Sequence, residues 1–175
     1  MQRTYRYKLD KRSKRLTLIF TLLIVGLGVF ISYYSASGYF SAWFVLFAAA
    51  FLALFILSIP RFVKIDDDSL EIHCIVELTH INIEDIKSVR KIDRHRMRYC
   101  IPLLGSYGFF GYYGYYFNLA EMSLVKVYAS RWKNFVMIED IYDDTYIINC
   151  DDADEFVHFA NKARRARLML QGKPI

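Results

Sequence analysis

The hydrophobic pattern changes character twice along the chain. Residues 16–34 are nineteen uncharged, mostly apolar positions in a row, and residues 40–59 are twenty more. A bilayer core about 30 Å thick needs roughly 20 such residues as helix. Between the runs lies only Ser35-Ala36-Ser37-Gly38-Tyr39, so they predict a transmembrane helical hairpin. Tyr33, Tyr34, Tyr39, Phe40 and Trp43 gather at its loop end, where an interfacial aromatic belt belongs. Gly26 and Gly28 offer the first run a place for close helix approach. The competing expectation is a signal peptide cleaved near Ser35-Ala36-Ser37. Against it, the first run exceeds the usual h-region of about 7–15 residues, and a second run follows at once.

After Pro60 the unbroken apolar pattern gives way to short alternating runs. Leu70, Ile72, Cys74 and Val76 alternate with Glu71, His73 and Glu77, the period of a half-buried strand. Further strands are predicted at 62–65, 79–82, 86–92, 124–131, 135–139 and 146–150. Together they make about seven strands, antiparallel by their short links. The turns carry Asp66-Asp67-Asp68-Ser69, Trp132-Lys133-Asn134 and Asp143-Asp144. The pattern then switches to helical spacing. Asp152 is a good N-cap with Glu155 three residues on, and Phe156, Phe159, Ala160 and Ala163 share one face. Lys162, Arg164, Arg165 and Arg167 suit the C-terminal end of the helix, and Gly172 and Pro174 end it.

Charge sharpens this division. Residues 1–15 hold seven Lys/Arg against Asp10, residues 16–60 hold no charge, and residues 61–175 hold sixteen basic groups against seventeen acidic ones. The net +5 is therefore a property of the N-terminal tail, and a nucleic-acid-binding domain is excluded. Basic residues flank both runs on their outer sides and are absent from the link, so the positive-inside rule expects both termini in the cytoplasm. Cys74, Cys100 and Cys150 are too widely spaced for a disulfide framework or zinc site and read as reduced apolar residues. The expected divisions are a basic tail (1–15), the transmembrane hairpin (16–59), a cytoplasmic domain (60–170) with a Gly/aromatic insertion (102–119), and a short tail (171–175).

Seven short antiparallel strands closed by one amphipathic helix is the element order of a pleckstrin-homology (PH)-like barrel. Three stretches carry the likeness: Asp66-Asp67-Asp68-Ser69-Leu70, Ile83-Glu84-Asp85-Ile86-Lys87-Ser88-Val89, and Asp152-Ala153-Asp154-Glu155-Phe156. On these the chain resembles the bacterial PH-domain-containing membrane proteins, over residues 60–168. The resemblance implies a PH-like barrel with a C-terminal capping helix behind the membrane hairpin. It also implies a non-enzymatic module in the bacterial inner membrane. The first strand turn departs from phosphoinositide-binding PH domains. Asp66-Asp67-Asp68 stands where Lys and Arg would grip phosphate, and it repels phosphate instead.

Two stretches are candidate binding surfaces for lipid or a partner. The first is basic: Lys87, Arg90, Lys91, Arg94, Arg96 and Arg98 fall within twelve residues, with Arg94, Arg96 and Arg98 on one face if extended. It is expected either to attract anionic lipid or to protect a strand edge. The second, residues 105–117, places glycine at every third position among rings that include Tyr112, Tyr113, Tyr115 and Tyr116. Three expectations stand for it: a loop in the headgroup zone, a protein-binding or self-association surface, or a flap folded over the barrel. No cofactor, metal or catalytic set is expected. His73 and Cys74 point to opposite strand faces, and the carboxylates sit at turns and caps. The functional expectations are a protein-interaction or self-associating module, an anionic-lipid sensor, and, third, an enzyme assembled from scattered residues.

Overall fold

The computed structural model describes residues 3–34, 38–57, 59–76 and 78–170. Of the turn expected at Ser35-Ala36-Ser37-Gly38-Tyr39, residues 35–37 lie outside them, as does the stop at Gly172 and Pro174, whereas Gly38 and Tyr39 belong to a helix. The chain opens with a strand, β1 (Arg3–Arg6), followed by helices α1 (Lys11–Tyr34) and α2 (Gly38–Leu57). Asp10 caps α1 by accepting the Ser13 amide at 2.6 Å. Helix α1 is long and apolar enough to cross a membrane, with a mean hydropathy of 2.3 and none of its apolar window buried. The apolar described part of α2, Ala42–Ala53, is shorter. The two helices lie side by side. A Cβ at Gly28 would come within 3.3 Å of Phe44, whereas one at Gly26 would meet nothing.

Nine strands and a helix follow: β2 (Pro60–Ile65), β3 (Ser69–Cys74), β4 (Leu78–Asn82), β5 (Ile86–Ile92), β6 (Cys100–Tyr107), β7 (Tyr112–Asn118), β8 (Ser123–Ala129), β9 (Phe135–Asp140), β10 (Thr145–Asn149) and α3 (Ala153–Leu170). They form two sheets, β1-β2-β3-β4 and β5-β9-β10-β8-β7-β6. The seven expected strands are β2, β3, β4, β5, β8, β9 and β10; β1, β6 and β7 are additional. Two corrections apply. The sheets do not close into a continuous barrel. Nor is every pair antiparallel, since β10 lies between β8 and β9 and runs parallel to β8.

The main core fills the space between the sheets. Val63, Ile65, Leu70 and Ile72 from the first sheet meet Val136, Ile138, Tyr146 and Ile148 from the second. Helix α3 closes the open side with Phe156, Ala160 and Ala163. Asp152 caps α3 by accepting the Glu155 amide at 3.0 Å. Arg164 Nε donates to the Ile86 carbonyl at 2.8 Å and anchors the helix to β5. A second core lies on the other face of the six-stranded sheet, around Tyr112, Tyr116, Trp132, Phe135 and Met137. The residues linking β5 to β6 join opposite edges of that sheet, so it must curl strongly around this second core.

Residues 3–6 are not a free tail. Strand β1 pairs antiparallel with β2, Arg3 opposite Ile65 and Arg6 opposite Phe62. Tyr5 meets Phe156 edge-on at 5.2 Å, and the Tyr7 hydroxyl donates to the Tyr128 carbonyl at 2.8 Å. The domain is therefore built from both sides of the helical pair.

Candidate interaction surface

The basic stretch begins on β5 and ends in a single 3-10 turn, Arg96–Tyr99. This corrects the extended reading of Arg94, Arg96 and Arg98. Met97 is fully buried and pins the turn to the second core, which throws its arginines outward. Most of the cations are occupied. Lys87 reaches Asp143 at 3.3 Å, Arg90 reaches Glu139 at 2.6 Å, Lys91 reaches Asp154 at 2.6 Å and Arg96 reaches Glu121 at 3.8 Å. Among the described residues, Arg94 and Arg98 have no acidic partner.

The Gly/aromatic stretch is a β-hairpin integral to the six-stranded sheet, not an inserted loop or a flap. Strand β6 pairs with β7, and β7 pairs with β8. Gly105 and Gly114 face each other across the hairpin with φ of 136° and 109°, where a Cβ would meet the opposite backbone oxygens at 2.1 and 2.3 Å. The tyrosines separate sharply. Tyr112, Tyr113 and Tyr116 are buried, and Tyr115 alone of the four is exposed. Burial pushes the Tyr113 hydroxyl up to about 12 and raises Tyr116 further. Three of the four candidate contact residues are therefore core.

What is exposed instead is mostly apolar and lies beside them, in rows that also hold the half-buried Phe117 and Lys126. Ile101, Phe117 and Leu124 form one cross-strand row, and Leu104, Tyr115 and Lys126 form the next on the same face. Under β10 and β9 this face is core. At β6, β7 and β8 it extends past the first sheet, leaving Leu104 71% exposed. Leu119 and Met122 are exposed at the end of this face where the Arg96–Tyr99 turn enters β6, and the Leu119 amide donates to the Tyr99 carbonyl at 2.9 Å. Strand β6 is also a sheet edge, and Pro102 with a bulge before Leu104 blunts it. The pattern of residues 99–120 does carry this signal. They are uncharged throughout, and Met97 and Cys100 sit at helical spacing where the turn enters the strand.

Elsewhere several polar groups are held in local contacts. Glu71 accepts from His73 at 2.9 Å. That bond, with Lys64 and His80 nearby, holds its carboxyl below the usual carboxylate range against the opposing effect of burial. Burial pushes the thiols of Cys100 and Cys150 up to about 11 and 12, which keeps them protonated at neutral pH. Among the described residues no group of three or more His, Cys, Asp or Glu could hold a metal ion. The Asp66-Asp67-Asp68 turn lies at the end of β2 farthest from α2, and Asp68 pairs with Arg167 at 3.0 Å.

Two packed sheets with a C-terminal helix plugging the open side define the PH-like class. A family model described as Bacterial PH domain matches residues 62–164, more than half of the chain. The chain belongs to that family. No curated protein matches it, and no solved structure does.

Proposed function

We propose that this chain is a membrane-anchored, non-enzymatic PH-like module that docks a protein partner at the inner face of the membrane. Its anchor is the helical pair. Strands β1 and β2 are hydrogen-bonded neighbours, so residues 3–6 and 60–65 share one side of any membrane. That pairing supports a hairpin in which α2 recrosses the membrane that α1 crosses. The seven Lys/Arg of residues 1–15, with Arg61 and Lys64, support a cytoplasmic side for both by the positive-inside rule. Family membership supports the non-enzymatic reading.

The observation that carries the docking role is the uncovered sheet face. Ile101, Leu104, Leu124 and Met122 expose apolar surface, and Arg94 and Arg98, a few residues before β6 in the chain, lack acidic partners among the described residues. A large apolar patch with a charged rim marks an interaction site. Its partner is a protein segment presenting apolar side chains and carboxylates. The alternative, an anionic-lipid sensor built on residues 87–98 and the tyrosines, has less support. Four of its cations are ion-paired and three of its rings are core.

Photocrosslinking in cells tests this reading. A benzophenone amino acid at Leu104 or Leu124 should capture one discrete second polypeptide, and Arg94→Ser with Arg98→Ser should weaken capture several-fold. A band of exactly twice the chain's mass would make the face a self-association surface. Crosslinks to lipid alone would overturn protein docking.

A further inference from the structure

We propose that the exposed side chains of Ile75, Val76 and Leu78 and the hairpin tip at 108–110 are immersed in the bilayer interface, so that lipid is a binding partner of the domain itself. The proposal rests on the membrane-hairpin reading above and adds a lipid-binding site to it.

Strand direction puts the first turn there. Strand β2 leaves the end of α2 at Pro60 and runs away from it; β3 runs antiparallel and returns. Pro60 lies opposite Cys74, and the Ile75 amide donates to the Ile59 carbonyl at 3.1 Å. The turn between β3 and β4 therefore projects at the point where α2 meets the domain. It offers Ile75, Val76 and Leu78 to the surroundings, with Val76 70% exposed. Glu77 stands between them in the sequence, which suits the headgroup zone and not the hydrocarbon core.

The second turn is the tip of the β6–β7 hairpin, and it is docked on α1. The Phe110 amide donates to Thr17 Oγ1 at 2.8 Å. A Cβ at Gly108 would meet Leu16 at 2.5 Å, so glycine permits the close approach. Phe109 meets Phe20 edge-on, with ring centroids 6.1 Å apart. Leu16 is the first residue of the apolar run, and Phe20 lies four residues, or about 6 Å, further along the helix. Lys11, Arg12, Lys14 and Arg15 occupy the turns before it, at headgroup level if the run spans the core. A tip that reaches past them to Phe20 enters the zone where interfacial aromatic rings lie, about 5–10 Å deep. The absence of charge from residues 99–120 lets the hairpin do so without burying an ion.

Together the turns flank the helical pair, one beside each helix where it joins the domain. They hold the domain against the bilayer at two points and fix its tilt. Site-directed spin labelling of the full chain in vesicles of phosphatidylethanolamine and phosphatidylglycerol tests this. The native cysteines are buried, so labels at Val76→Cys, Phe110→Cys, Phe47→Cys and Met122→Cys are selective. Phe47 reports on α2 and Met122 on the far end of the hairpin. The label at 76 and the label at 110 should each be more accessible to oxygen than to a water-soluble nickel complex, as at 47, with the order reversed at 122. If 76 and 110 behave like 122 while 47 stays in lipid, the immersion is refuted and the membrane hairpin stands. If 47 is aqueous, both fail. A second measurement avoids the bulk of the label. Val76→Ser with Leu78→Ser, at exposed positions, should leave the fold intact and increase the nickel accessibility of a label at 110 by several-fold. An unchanged value would mean the two turns do not act on one surface.

Discussion

Phe156 and Phe159 lie three residues apart on α3 and do different work. Phe156 is fully buried between the sheets and meets Tyr5 edge-on. Phe159 is half-buried, and the Arg3 guanidinium lies 5.2 Å above its ring. Phe156→Ala removes a ring from a closed core, and about 3–5 kcal/mol of stability should go with it. Phe159→Ala should cost less, on the order of 1–2 kcal/mol, because much of its surface stays wet in the folded chain. Chemical denaturation of the two variants in one detergent checks the order. Equal losses would mean that α3 sits deeper than the core around Phe156 indicates. From spacing alone the two rings are equivalent, since both fall on the apolar face. Only the position of β1, which brings Arg3 and Tyr5 to the helix, separates them.

Glycine matters most in the hairpin of β6 and β7, where Gly105 and Gly114 form a directly opposed pair. Either residue changed to Ala would meet backbone at under 2.5 Å in a conformation that L-residues avoid. Gly114→Ala should cost at least the roughly 1–3 kcal/mol of such strain and open the hairpin, with faster amide exchange in β6 than in β9 as the readout. Exchange unchanged throughout would show that the pair is not needed for register. The strands at 70–74, 135–140 and 145–149, and the helix from Ala153, were legible because alternation, turn residues and a cap agree there. Three features were not. Strand β1 is only four residues long and basic, so it reads as a juxtamembrane tail. The parallel pairing of β8 and β10 skips a strand, which local links cannot reveal. The tyrosines of 112–116 look like a surface because their glycine neighbours suggest a loop; burial follows only from pairing with β8, a contact no local pattern encodes.

At the scale of the whole molecule, the domain is continuous through space but interrupted in sequence by the helical pair. The Tyr7 amide donates to the Arg61 carbonyl at 3.0 Å, so the two entry points are within a short link of each other. A chain in which a Gly/Ser linker replaces residues 11–57 should therefore fold as a domain without its helices. It should melt several degrees above residues 60–170 alone, which lack β1 and expose the cleft that Tyr5 and Tyr7 fill. About 1 kcal/mol corresponds to some 4–8 °C in a domain near this size. Identical melting of the two would mean that β1 adds nothing to the sheet. The long apolar helix α1 and the family resemblance could be read from the chain, because nineteen apolar residues and an element order are local facts. The uncharged run 99–120 hints at a surface at β6 and β7, but which of its residues face outward could not be read, because that depends on which sheet outgrows the other.

Strand β1 also sets an order of events during synthesis. It leaves the ribosome about sixty residues before β2, its partner in the sheet. At about 5–20 residues per second that is a wait on the order of 3–12 seconds. Through that interval Tyr5 and Tyr7 have no core, and the whole apolar pair is made before the sheet can form. Pairing then closes the chain into a ring of noncovalent contacts with α1 and α2 inside the loop. Completing that ring therefore requires that the two helices have brought β1 and β2 back to the same place.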